Sequence, residues 1–148
     1  TDVLWTRWSH AKQDYNMLLS NPSNPAFQSV LGNSLPERFP LQWRDSVAVR
    51  LGLQHALGCT RVIRGGYVYH PNVIPDETLT PFIPAIPEHS LSLGCGQQMG
   101  DYRVDLGYQH MFGPDQNVGT SGFVGGDFDG STTSVSAHWL LASLIRNF

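Results

Sequence analysis

The chain has 148 residues, a formal net charge of −3, 14% charged residues and 41% hydrophobic residues. This length supports one domain with a sizeable core, but the charge content falls well below the usual figure of about 25% and argues against an ordinary soluble surface. No basic balance points to nucleic acid, and no apolar run reaches the ~18 residues of a membrane helix, so any membrane-spanning structure has to be a barrel.

In chain order the dominant signal is the period-2 alternation of β-strands. Two weaker strands are predicted first, about Asp2–Ser9 and Asp14–Leu19. In QWRDSVAVRLGLQHAL, Val47, Val49, Leu51 and Leu53 share one face, with Asp45 in the same parity, against Arg44, Ser46, Ala48, Arg50, Gly52 and Gln54. In TRVIRGGYVYH, Ile63, Gly65, Tyr67 and Tyr69 oppose Val62, Arg64, Gly66 and Val68. HSLSLGCGQ sets Leu91, Leu93 and Cys95 against Ser90, Ser92, Gly94 and Gly96. DYRVDLGYQHMF sets Tyr102, Val104, Leu106 and Tyr108 against Arg103, Asp105, Gly107 and Gln109. The last strand opens with Val135, Ala137, Trp139 and Leu141 on one side; its parity then blurs, which suggests a bulge or a buried end. The expectation is an all-β, antiparallel chain of about seven strands with no helix.

The connections alternate in length. Short ones are HAKQ after Ser9, LGC around Gly58 and QMGD near Gly100; long ones run from Ser20 to Leu41, His70 to Glu88 and Gly113 to Ser131. Transmembrane barrels alternate in this way, with short periplasmic turns and long extracellular loops. The loop from His70 to Glu88 carries five prolines. Proline fixes the path and withholds ladder donors, so this loop is expected to form an ordered cap across Pro71–Pro87.

The apolar face is a core in a soluble protein and a lipid-facing surface in a barrel with a polar lumen; alternation alone leaves both open. Aromatic placement favours the barrel. Trp43 and Tyr69 sit where strands meet long loops and Tyr102 where a strand leaves a short turn, as two interfacial girdles require. The chain ends on the aromatic Phe148, as outer-membrane barrels usually do, although Arg146 stands at a place usually apolar. The first residues, TDVLWTRWSH, already read as a strand with no basic n-region, so the whole span 1–148 is expected to be the C-terminal part of one barrel domain in a longer protein.

These segments, WRDSVAVRLGLQHAL, RVIRGGYVYHPNVIPDETLTPFIPAIPEHSLSLGCG and YRVDLGYQHMF, together with LWTRWS at Leu4–Ser9, resemble the C-terminal part of outer-membrane long-chain fatty acid transport proteins of the FadL type. That family includes relatives that pass toluene and other aromatic hydrocarbons. The resemblance implies a fourteen-stranded transmembrane β-barrel plugged by an N-terminal hatch, with this chain supplying the C-terminal half. It implies a passive channel for hydrophobic small molecules in the bacterial outer membrane, with no enzymatic chemistry and no cofactor. The implied partners are the substrate, the surrounding membrane lipid or lipopolysaccharide, and the rest of the barrel from missing sequence or another chain. Arg50, Arg64 and Arg103, with Val62 and Val68, are the candidates for a substrate path, an arginine being able to hold a carboxylate by charge-assisted hydrogen bonds. The competing role for these arginines is pairing with inward acids such as Asp105. Asn24-Pro25-Ala26 matches a tripeptide of the family's hatch but lies between strands, and is read as coincidence.

Other chemistry finds little support. The histidines at 10, 55, 70, 89, 110 and 138 show no metal-ligand spacing. GDFDGS lacks the rest of a calcium loop and is read as a turn. GCGQQMG is one residue off a dinucleotide fingerprint and precedes no helix. No GxSxG elbow is present. Cys59 and Cys95 fit free thiols on the wall better than a bridge, though pairing stays open. The alternatives are a soluble or secreted barrel or sandwich binding an apolar ligand, and a structural or adhesive outer-membrane domain.

Overall fold

The computed structural model describes residues 1–11, 13–84 and 86–146. Six strands form one antiparallel sheet in the order β1 (Asp2–Thr6), β4 (Ser46–Leu57), β5 (Arg61–Tyr69), β6 (His89–Met99), β7 (Tyr102–Phe112) and β10 (Ala137–Arg146). The five strands from β4 onward have 9 to 12 residues, the length at which a tilted strand crosses a bilayer. Short turns join β4 to β5 and β6 to β7. Gly58 and Gly100 open them at φ 73° and 58°, a left-handed region that glycine enters without steric cost.

The wall has six strands, not seven. The expected strand near Asp14 is present as β2 (Asp14–Ser20), but it pairs with β3 (Ser34–Pro40) in a separate hairpin. Pro36 and Pro40 within β3 explain both the isolation of the hairpin and its invisibility in the sequence, because proline cannot donate to a ladder and confines a strand to an edge. The first strand ends at Thr6, and Trp8–Ala11 forms a helical turn, α1. HAKQ is therefore no periplasmic turn: positions 7–45 form one long excursion, and the long-short alternation holds with one strand fewer.

A second helix, α2 (Pro25–Leu31), corrects the all-strand expectation. Asn24 Oδ1 accepts from Ala26 N at 2.9 Å, Pro25 occupies the first turn and Gly32 follows at φ 75°, so the Asn-Pro-Ala tripeptide is a helix start.

Hydrophobic burial lies in the loops. Val73, Ile74, Leu79, Ile86 and Val118 form a cluster against which Trp8, Trp43 and Val135 pack. Arg44 N donates to Val73 O and His70 N to Glu88 O, each at 2.8 Å, and Gly122 N donates to Glu77 O at 2.6 Å. The proline-rich loop is thus stitched to its neighbours as a folded cap. The short strands β8 (Gln116–Asn117) and β9 (Thr132–Thr133) complete it.

By contrast, the apolar side of the wall is bare: Leu53 is 82%, Leu93 68%, Leu106 54% and Leu140 86% exposed. Among the described residues, Ala48 is the one buried hydrophobic that belongs to a wall strand. It lies with buried Ser46 and Ser90 on the polar side, which the cap covers. Loops that fold over the polar face and leave the greasy face open are the reverse of a soluble sandwich.

Candidate functional site

Register fixes which residues share a face. Arg50 stands opposite Val68, Val68 opposite Ser90, and Ser90 opposite Met111. The next rows along the strands are Gly52, Gly66, Ser92, Gln109 and Trp139; then Gln54, Arg64, Gly94, Gly107 and Leu141; then Ala56, Val62, Gly96, Asp105 and Ser143. The five candidate path residues, Arg50, Arg64, Arg103, Val62 and Val68, therefore all lie on one side.

Asp105 organises this wall. Its Oδ1 accepts from Arg64 Nη1 at 2.8 Å and from Arg103 Nη2 at 3.0 Å, and its Oδ2 accepts from Arg103 Nε at 2.8 Å. Arg64 Nε also donates to Gln54 Oε1 at 2.8 Å. Two guanidinium groups share one carboxylate, so both arginines are held against the wall and a positive charge remains in excess. Arg50 is set apart, 3.8 Å from Asp2.

Next to this network the wall carries almost no side chains, because Gly52 pairs with Gly66 and Gly94 with Gly107. At Gly96 the space is already taken: an added Cβ would collide with the Asp105 carboxylate and come within 2.9 Å of Val62 Cγ1. The glycines thus let the arginine network lie flat. Trp139, Leu141 and Ile145 face the same side, opposite Gln109, Gly107 and Arg103. The blurred parity of LLASLI concealed this, since both faces of β10 are apolar and alternation gives no direction.

The expected girdle divides. Tyr69 and Tyr102 lie on the apolar face at opposite ends, Tyr102 with the Arg146 guanidinium 5.7 Å from its ring centroid. Trp43 does not join them: it packs in the cap edge-on to Trp8 at 5.4 Å, because Arg44 N is tied to Val73 O and draws the strand entry inward. Trp5, 61% exposed on the apolar face opposite Val47, stands at the loop end in its place. Phe148 lies outside the described residues.

At the loop side, the β2–β3 hairpin and the cap enclose a pocket of about 630 Å³ lined by Tyr15, Phe39, Phe82, Ile83, Phe123 and Phe128, with Glu37, Arg38 and Asp127 also lining it. Phe39 and Phe123 rings lie 6.0 Å apart, as do Phe123 and Phe128. Sequence reading missed this site because its aromatics come from separate, non-periodic segments.

Asp45 ties the hairpin segment to the wall. Its Oδ1 accepts from Ser9 N at 2.9 Å. Hydrogen bonds from the Ser9 side chain and backbone, helped by the charge of Arg7, hold its carboxyl below the ordinary range. A depressed carboxylate contributes stability that is present above its unfolded pKa of about 4 and lost as pH falls through the lower folded value. Protease cleavage within 7–45 is therefore expected to rise below about pH 4, and Asp45→Ala should show the same exposure at neutral pH.

Several sequence candidates have plain structural roles. Ser46 Oγ lies 3.3 Å from His70 Nε2, but Ser46 is 3% exposed and out of reach of a substrate. Asp129 of GDFDGS accepts from Ser121 N at 2.6 Å within a turn. Cys59 and Cys95 are free and exposed. Among the described residues no group of three or more His, Cys, Asp or Glu gathers closely enough for a metal ion, and no helix is long and apolar enough to cross a membrane.

A family model described as outer membrane protein transport protein (OMPP1/FadL/TodX) matches residues 1–148. The chain belongs to this family. The family is one of the outer membrane, where a barrel wall has one face in lipid and the other toward its lumen. A crystal structure of a Pseudomonas aeruginosa FadL homologue is similar in fold, with a TM-score of 0.61 and 18% identity over 96% of this chain and 30% of that one. The chain thus spans about a third of that FadL homologue. No curated protein matches.

Proposed function

We propose that this chain is the C-terminal part of a closed outer-membrane barrel that passes hydrophobic small molecules, fatty acids or aromatic hydrocarbons, without chemical conversion. The rest of the wall comes from further sequence or another chain, since β1 and β10 are edges and an unpaired edge is costly in lipid. One observation carries the reading: beside the arginine network the inner face holds an apolar strip in which Trp139, Leu141 and Met111 lie next to the bare backbone of Gly94 and Gly107, with Ser92 and Gln109 between Trp139 and Gly66. An acyl chain gains about 0.8 kcal/mol per buried CH₂ on such a surface. The excess positive charge beside Asp105 suits a carboxylate head, and the phenylalanine pocket among the loops suits first capture from outside.

Vesicles containing the full-length protein should take up labelled fatty acid or aromatic hydrocarbon faster than empty vesicles. Phe39→Ala should weaken capture about tenfold, the worth of one large apolar side chain. Equal rates in filled and empty vesicles would overturn the proposal.

A further inference from the structure

The lipid-facing surface is not uniformly aliphatic. At the loop end of β5, β6, β7 and β10 it carries a contiguous belt of imidazole and phenol rings. Tyr69, His89 and Phe112 form one row; Tyr67, Leu91, His110 and His138 form the next; Leu93, Tyr108 and Leu140 follow. His110 and His138 stack at 4.3 Å with 8° between their planes. Tyr108 Oη lies 2.7 Å from His138 Nδ1, and Tyr67 Oη lies 2.8 Å from His89 Nδ1. His89 and His110 each lie against Phe112, at 5.3 and 5.1 Å.

An aromatic girdle explains tyrosines at this depth, but not the stacked pair of His110 and His138, with His89 joined to it only through Phe112. Each tyrosine contact engages Nδ1, which leaves Nε2 of His89 and His138 for a partner outside the wall. No Asp, Glu, Lys or Arg occupies these rows; Tyr67, Tyr69, Tyr108, His89, His110 and His138 are their titratable groups. Of the nearby loop groups, Glu88 is bound to Asn72 N on the cap side, His70 to Ser46, and Asp115 is exposed beyond the strand end. Among the described residues the belt thus has no carboxylate of its own to take up the imidazole donors.

Directly beneath the belt, toward the middle of the membrane, lies an open trough of about 780 Å³ lined by Leu53, Ile63, Leu93, Leu106, Tyr108 and Leu140. Gly65 forms its floor, with the side chain of Leu93 in reach of any added Cβ at 3.9 Å. Tyr108 belongs to both features.

We propose that this belt and trough form a binding site for a phosphorylated lipid of the outer leaflet, its phosphate on the His110–His138 pair and an acyl chain in the trough. The order of the parts, hydrogen-bond donors at the loop end and an apolar channel on the membrane side, is that of such a lipid lying against the wall. The surface is continuous with the face that already meets lipid.

The inference rests on the transmembrane reading and not on what is transported. Its test uses the full-length barrel purified in detergent and titrated with bisphosphorylated lipid A or with the same lipid dephosphorylated. The phosphorylated form is expected to bind about tenfold more tightly, as hydrogen bonds to a charged acceptor imply. The double variant H110F/H138F keeps the ring stack and loses the donors; it should lose the margin while retaining hydrocarbon uptake. Equal binding of the two lipids by the unaltered protein, or a margin surviving in the double variant, would each overturn the proposal. The lipid comparison on the unaltered protein decides the matter even if the variant fails to fold.

Discussion

Leu79→Ala is expected to open the extracellular cap while leaving the wall folded. Leu79 is 1% exposed and sits among Val73, Ile74, Ile86 and Val118, each from a loop and not from a strand. Truncating a leucine in such a cluster costs about 2 to 5 kcal/mol, the range depending on how far the cavity collapses. The cap has few other sources of stability. Its hydrogen bonds include Thr78 Oγ1 to Leu41 O at 2.7 Å and Gln116 Nε2 to Asp76 Oδ1 at 2.6 Å, and these depend on the cluster staying closed. Protease added outside intact cells should cut the variant within 70–88 and 113–136 but spare the unaltered protein. The wall, held by ladders independent of Leu79, should keep the heat-sensitive gel mobility of a folded barrel. Unchanged resistance of the loops would mean that the cap is held by something other than this cluster.

The second large effect separates two neighbouring positions. Leu93 lies on the bare apolar face and Ser92 on the face of the arginine network, both near the middle of β6. Arginine at a lipid-facing site near the bilayer midplane costs about 2 to 4 kcal/mol, while substitutions on a lumen face mainly alter selectivity. Leu93→Arg should therefore lower the denaturant midpoint of the refolded full-length barrel substantially. Ser92→Arg should shift it little, because a long side chain there can extend over the strip of Gly52 and Gly66 beside it. A reversed ranking would turn the wall inside out.

The wall was legible because its strands are long and one-sided. Within β4, β5, β6 and β7 the period-2 pattern survives almost every residue, and the hairpin turns are marked by Gly58 and Gly100. The proline-rich loop was legible for a related reason: five residues that refuse a ladder, between two strands that need one, define an excursion. What escaped was set by tertiary context. β3 is a strand despite Pro36 and Pro40 because it needs to pair on only one side. The direction of β10 was hidden because Leu140, Leu141, Leu144 and Ile145 are apolar on both faces, and only its register with β7 shows that Leu141 and Ile145 look inward. Trp43 was assigned to the membrane interface by its position at a strand entry, whereas its backbone neighbour is tied to the cap. Asp105 was named in advance as a possible partner for the arginines, but its sharing between Arg64 and Arg103 depends on a cross-strand geometry that no single strand encodes. The histidine belt was invisible for the same reason: His110 and His138 are far apart in sequence and meet only across the β7–β10 ladder, with His89 one strand further on β6.

The account stands on the assignment of sides, and site-specific spin labels at positions 92 and 93 of the full-length protein in bilayers measure that assignment most directly. A label at 93 is predicted to collide freely with oxygen, which concentrates in hydrocarbon, and a label at 92 with a water-soluble nickel chelate. Water-like accessibility at 93 with oxygen-rich surroundings at 92 would contradict it.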